Sequence, residues 1–186
     1  MSRSKAIAGL ALTLAALAPA LAHARGGSDD GGHIVAIPAA ACIEIAADPA
    51  DGGRTTLGGA IALQGRPGGV SSVALRCPLA LDRGGASGDD RLAGLEVHYL
   101  DGDGPGADAR VGVSLVRTAL APAAADGFAE TVVCSWSSAS SGAMAPARAT
   151  IPCASPATDA FYHVDVLLTV QPGPQRAAFV GLKVIR

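Results

Sequence analysis

Apolar and polar side chains alternate along most of this chain. From Phe161 to Val170, the residues Tyr162, Val164, Val166, Leu168 and Val170 share one parity, while His163, Asp165 and Thr169 take the other. A period of two is the mark of a strand with one face buried and the other wet. The same beat sets Leu95, Val97 and Tyr99 against Glu96 and His98, and Val111, Val113 and Leu115 against Arg110, Gly112 and Ser114. Near the C-terminus, Ala178, Val180, Leu182 and Val184 fall on one face, with Lys183 on the other. Fainter versions cover Ile34–Ile37, Cys42–Ala46, Thr55–Leu63, Val70–Leu75, Phe128–Trp136 and Ala149–Cys153.

Turn-forming residues separate these runs: Asp48-Pro-Ala-Asp-Gly-Gly, Arg66-Pro-Gly-Gly, Arg83-Gly-Gly-Ala-Ser-Gly-Asp-Asp, Asp101-Gly-Asp-Gly-Pro-Gly and Pro172-Gly-Pro. Glycine and proline at these points supply the dihedrals that tight turns require. No segment carries an apolar stripe at helical spacing. Ala119–Ala125 has room for one helical turn, which Pro122 limits. Many short strands with this punctuation predict an all-β domain, a jelly-roll-like antiparallel β-sandwich of about eight to ten strands. An immunoglobulin-type domain fits less well, because it usually needs fewer residues and Trp136 follows Cys134 by only two positions.

The first residues break this pattern. A basic start, Met1-Ser2-Arg3-Ser4-Lys5, leads into an apolar run from Ala6 to Leu17 and then to Ala22-His23-Ala24. Basic, apolar and small residues in that order predict a secretory signal peptide over residues 1–24, cleaved near Ala24. The run is shorter than the roughly 20 residues that span a bilayer. Residues 25–32 are polar and glycine-rich, and are expected to be a flexible mature N-terminus. The first cysteine is Cys42, so no cysteine stands at the cleavage point to carry a lipid. The expected organisation is therefore one β-sandwich domain over residues 33–186, secreted or periplasmic. The formal net charge of −2 offers no electrostatic basis for nucleic acid or an anionic membrane surface as partner.

Four cysteines follow the leader: Cys42, Cys77, Cys134 and Cys153. In an oxidising compartment they are expected to form two disulfides. Three pairings are open. The favoured one joins Cys42 to Cys77 and Cys134 to Cys153, because Gly58-Gly59-Ala60 and Gly142-Ala143 lie near the two midpoints and would let each pair face across a hairpin. No C-x-x-C spacing or neighbouring histidine supports zinc.

Candidate chemistry is sparse. Asp101, Asp103 and Asp108 place hard oxygen donors in a glycine-rich loop, which suits calcium as the one cofactor considered. The loop departs from an EF-hand, with Pro105 at its fifth position and Gly112 at its twelfth, and otherwise reads as a plain turn. No nucleophile elbow occurs; Gly85-Ala-Ser-Gly88 lacks the spacing. His33 lies near the flexible start. His98 and His163 fall on wet strand faces, and could form a pair with Glu96 or Asp165 if their strands adjoined on one face. Glu44, Glu96 and Glu130, the only glutamates, stand apart from aromatic rings. Trp136 leads into a serine-rich stretch and is the candidate ligand contact, whereas Tyr99 and Tyr162 belong to the apolar parity and the core.

Four C-terminal segments recur in a recognisable order. They are Leu95-Glu-Val-His-Tyr-Leu-Asp-Gly-Asp, Ala109-Arg-Val-Gly-Val-Ser-Leu-Val-Arg-Thr, Phe161-Tyr-His-Val-Asp-Val-Leu-Leu and Phe179-Val-Gly-Leu-Lys-Val-Ile. Over residues 69–186 this pattern resembles a loose group of uncharacterised secreted bacterial β-sandwich proteins. The resemblance implies a sandwich that self-associates, and it brings no activity or catalytic residues. The first functional expectation is accordingly a non-catalytic structural or adhesion-like interaction protein of unknown partner. The alternative is a calcium- or carbohydrate-dependent binding module using Asp101, Asp103 and Trp136. A secreted hydrolase comes third.

Overall fold

The computed structural model describes residues 35–47, 54–79, 92–125, 127–140, 144–153 and 160–185. The expected leader, the flexible start and His33 lie outside them. Eleven strands follow in order: β1 (Val35–Pro38), β2 (Ile43–Ala47), β3 (Arg54–Leu57), β4 (Ala60–Gln64), β5 (Ser71–Leu79), β6 (Gly94–Asp101), β7 (Ala109–Leu120), β8 (Phe128–Ser137), β9 (Ala147–Pro152), β10 (Phe161–Val170) and β11 (Arg176–Ile185). Single 3-10 turns occupy Ala39–Ala41 and Ser138–Ser140. Ala119 and Leu120 end β7, and Ala121–Ala125 is turn rather than helix.

All pairings are antiparallel. The order β3-β4-β11-β6-β9 forms one sheet, with β1 also on β11, and β2-β5-β10-β7-β8 forms the other. β11 pairs with β4 and β1 end to end along one side and with β6 along the other. The inward parity of both sheets closes over one core, in the jelly-roll-like sandwich the alternation predicts. Val164, Val166 and Leu168 of β10 are at most 1 % exposed. They meet Leu75 of β5, Leu115 of β7, Leu63 of β4, Leu95 of β6 and Phe179 of β11 within the same buried cluster.

Two sequence runs deviate from a simple beat. Thr55–Leu63 is not one strand: Gly58 and Gly59 take φ of 59° and 86° and fold it into the β3–β4 hairpin. Two successive residues with positive φ are what a two-residue hairpin turn demands, and this adds the eleventh strand. In β11 the register against β6 shifts between Phe179 and Gly181. Val180 is the extra residue of this β-bulge, so the buried parity runs through Ala177 and Phe179 before it and Leu182 and Val184 after it. Val180 itself is 43 % exposed, contrary to the expected run Ala178, Val180, Leu182, Val184 on one inward face.

The bulge needs its glycine. Gly181 has φ of 154°, and a Cβ there would lie 2.7 Å from the Ile37 carbonyl of β1. Gly181→Ala is expected to cost about 2 kcal/mol through backbone strain and displacement of β1. The urea midpoint of the variant measures it, with Val180→Ala as the silent neighbour.

Two disulfides join Cys42 to Cys77 and Cys134 to Cys153. The first links neighbouring strands of one sheet, since Cys42 precedes β2 and Ile43 pairs with Arg76 of β5. Between them the chain crosses to the other sheet to build β3 and β4. The second is not a hairpin bond. Cys134 lies on β8, at the edge of the five-stranded sheet, and Cys153 follows β9, at the edge of the other. It therefore staples the two layers along one side, while an ion pair between Glu44 of β2 and Arg54 of β3 ties the edges on the opposite side. Among the described residues no helix is long and apolar enough to cross a membrane.

Candidate functional site

The outward parity of the five-stranded sheet carries an unusual mixture. On β10 it presents Phe161, His163, Asp165, Leu167 and Thr169, because Tyr162, Val164, Val166, Leu168 and Val170 are buried. Asp165 stands opposite Arg76 on β5 and Ser114 on β7. The Arg76 guanidinium donates to both carboxylate oxygens of Asp165, Nε to Oδ1 at 2.8 Å and NH2 to Oδ2 at 3.0 Å. This two-pronged geometry is the strong form of an arginine–carboxylate contact. NH1 of the same arginine reaches Glu130 of β8 at 3.4 Å. The link crosses β10 and β7, and on this face the outward-facing Val116 is only 5 % exposed.

Apolar side chains surround this charged line. Ile43 pairs with Arg76, Val132 with Val116, Leu120 with Phe128, and Phe161 with Thr118. All four pairings place their members on the same outer face. Leu120 and Phe161 are 76 % and 72 % exposed, and Ile43, Val132, Phe128 and Leu167 are exposed with them. The sequence carried a signal for this face: Phe161 and Leu167 sit on the same parity as His163, Asp165 and Thr169. Apolar residues on a wet parity are the trace of a surface that is not simply solvated.

The two histidines do not assemble a catalytic group. His98 is on β6 and His163 on β10, in different sheets that both turn these parities outward. His163 Nε2 lies 3.5 Å from Asp165 Oδ2, and its side chain is only 12 % exposed instead of freely solvated. His98 Nε2 and Lys183 Nζ both reach Glu96 Oε1, at 2.7 and 2.9 Å. Lys183 first, then His98, holds the Glu96 carboxyl down at about 2. A depressed acid stabilises the fold above its unfolded value near ~4.3, and that contribution disappears as pH falls through about 2. Glu96→Gln should therefore lower the urea midpoint at pH 7, and the gap to the parent should narrow between about pH 4 and pH 2. Beside this network, an open depression of about 380 Å³ is lined by His98, Tyr99, Pro146, Ala147, Arg148 and Val180.

Trp136 is half-buried rather than displayed. Its ring meets Tyr99 of the opposite sheet edge to face, with centroids 4.8 Å apart and planes at 64°. The indole thus closes the end of the core. The exposed aromatic rings of the outer face are Phe128 and Phe161 instead.

The acidic loop between β6 and β7 brings two of its three carboxylates together. Asp101 is fully buried at the end of β6. Its Oδ1 accepts the Asp103 backbone N–H at 3.4 Å, and Asp103 Oδ2 accepts the Asp108 N–H at 2.7 Å. Burial, then the neighbouring Asp103 carboxyl, pushes Asp101 up to about 6. Burial also acts to raise Asp103, but hydrogen bonding with Asp101 and from the Asp108 and Ala109 backbone outweighs it and holds Asp103 below the usual range. The Asp108 residue is exposed and contributes its amide here. Among the described residues no group of three His, Cys, Asp or Glu side chains is placed to hold a metal ion.

No protein-family model matches this sequence, and no curated protein matches it. Ten solved chains are similar in fold. One is a mutant of the family 29 carbohydrate-binding module CBM29-2 complexed with mannohexaose, at 15 % identity and a TM-score of 0.38, covering 82 % of this chain and 91 % of that one. Another is the CBM36-1 domain of a multidomain xylanase from the hindgut metagenome of Trinervitermes trinervoides, at 12 % identity and a TM-score of 0.41, covering 82 % and 96 %. A family two carbohydrate esterase from Cellvibrio japonicus reaches 6 % identity and a TM-score of 0.40, over 83 % of this chain and 33 % of that one. Superpositions this loose place the chain in no family.

Proposed function

We propose that this chain is an exported, non-catalytic interaction domain that works through the outer face of its five-stranded sheet, with a second copy of itself as partner. The observation that carries the reading is the exposure of Leu120, Phe161, Ile43 and Val132 on one face around the Arg76–Asp165–Glu130 line. Large apolar side chains gathered on one exposed face mark a protein-binding surface. Two disulfides suit an oxidising compartment outside the cytoplasm. Light scattering over a concentration series tests the reading on the chain from Arg25 onward. The parent should show the mass of a dimer or larger species, and Leu120→Ser with Phe161→Ser should return it to a monomer. A parent that stays monomeric throughout would overturn self-association.

A second reading, glycan binding, is favoured by one observation. The exposed rings of Phe128 and Phe161 share their face with the hydrogen-bonding groups of Arg76, Glu130 and Asp165. Rings that stack on a sugar face beside charged groups that bind hydroxyls are what a glycan site requires. Retardation of the protein in gels containing soluble polysaccharide, lost in Phe161→Ala, would support this reading over the first.

A further inference from the structure

We propose that the β6–β7 loop holds one divalent cation, calcium by preference, between the carboxylates of Asp101 and Asp103. The site is independent of the sheet face described above. Each carboxylate has one oxygen secured by the chain: Asp101 Oδ1 by the Asp103 amide, and Asp103 Oδ2 by the Asp108 amide. Asp101 also accepts a side-chain hydrogen bond from Ser138, and the two carboxyls lie within hydrogen-bond reach of each other. The remaining oxygens, Asp101 Oδ2 and Asp103 Oδ1, are both buried and neither receives a hydrogen bond from an N–H or O–H of the described residues. Asp101 as a whole has no exposed surface. Buried carboxylate oxygens persist only when a positive charge or a donor satisfies them. Among the described residues no lysine, arginine or histidine forms an ion pair with either acid.

The donors are hard oxygens, which select calcium or magnesium over zinc or copper. The loop is shaped around the second carboxylate. A Cβ on Gly106 would lie 2.0 Å from Asp103 Oδ2, so only glycine allows the chain to close on that acid. Calcium takes six to eight oxygens in adaptable geometry and accepts loop carbonyls and water alongside carboxylates. Magnesium demands a near-ideal octahedron, which a two-acid glycine loop is less suited to provide. With only two acidic ligands the affinity should fall in the weak range of extracellular calcium modules, about 10⁻⁴ to 10⁻³ M.

The test uses the folded chain stripped with EDTA. Calcium titrated calorimetrically should bind with one site per chain, and about 10 mM calcium should raise the melting temperature by several degrees. Asp103→Asn, which keeps the shape of the loop, should retain the far-UV spectrum of the parent and lose both signals. Asp108→Asn should keep them. Absence of a binding isotherm in the parent, with no calcium-dependent shift in melting temperature, would overturn the proposal. So would a metal-free protein that is instead stabilised as pH is lowered through about 6 and is indifferent to calcium, because the two acids would then be sharing a proton.

Discussion

Replacing all four cysteines by serine should bring the domain to the edge of unfolding at 25 °C. The two closed loops have sequence separations of 35 and 19 and do not overlap. Loop-closure entropy assigns them about 4 and about 3 kcal/mol of stabilisation. Their sum is comparable to the whole stability of a typical domain, about 5–15 kcal/mol. The two bonds should differ in kind when removed singly. Loss of Cys42–Cys77 relaxes neighbouring strands that the β2–β5 ladder still holds together. Loss of Cys134–Cys153 frees the β8 and β9 edges of two different sheets, which meet Tyr99 and Trp136 at the end of the core. Either double replacement should lower the melting temperature by about 10 °C. Urea unfolding of the parent and the three variants measures these losses, and two midpoints unchanged from the parent would remove the staples from the account.

Phe179→Ala should cost about 4 kcal/mol. Phe179 is the largest side chain buried completely, and it lies where β11 is flanked by β4 and β6. Truncation loses the transfer free energy of the ring and leaves a cavity that the two flanking ladders of backbone hydrogen bonds keep from collapsing. The neighbouring Val180→Ala should change stability by less than about 0.5 kcal/mol. This pair of adjacent positions isolates the bulge. If the strand were regular, Val180 would be the sensitive site and Phe179 the tolerant one.

Much of the fold was legible because alternation is a local property. β6, β10 and the first half of β7, Ala109 to Leu115, each bury one parity without interruption, so their inward residues could be named from the chain alone. The beat failed in β11, where one inserted residue reverses it, and nothing before Gly181 announces that insertion. It also ran Thr55 to Leu63 together across Gly58-Gly59, where the turn residues themselves were the better guide. The inter-sheet nature of the Cys134–Cys153 bond depends on which strands are edges, and strand order is a long-range property. The acidic loop was visible as composition, but its pairing was not. Asp101 is buried by the end of β6 and approaches Asp103, while Asp108 turns to solvent, and only the folded loop separates them. The half-burial of Trp136 was not legible from its serine-rich neighbours, because the ring it packs against, Tyr99, comes from the other sheet. The Arg76–Asp165–Glu130 line joins three strands distant in sequence, and no local motif encodes it.

The proposed surface stands on one geometric statement, that Phe161 faces out of a closed sandwich whose interior begins at the very next residue. Phe161 is 72 % exposed and Tyr162 7 %. Hydroxyl-radical footprinting read by mass spectrometry measures this contrast directly, on the native chain with its disulfides intact. At a concentration low enough to keep the chain monomeric, rapid oxidation of Phe161 and Leu120, with Tyr162 and Phe179 protected, is the predicted result. Equal labelling of Phe161 and Tyr162, or a labelled Phe179, would contradict it.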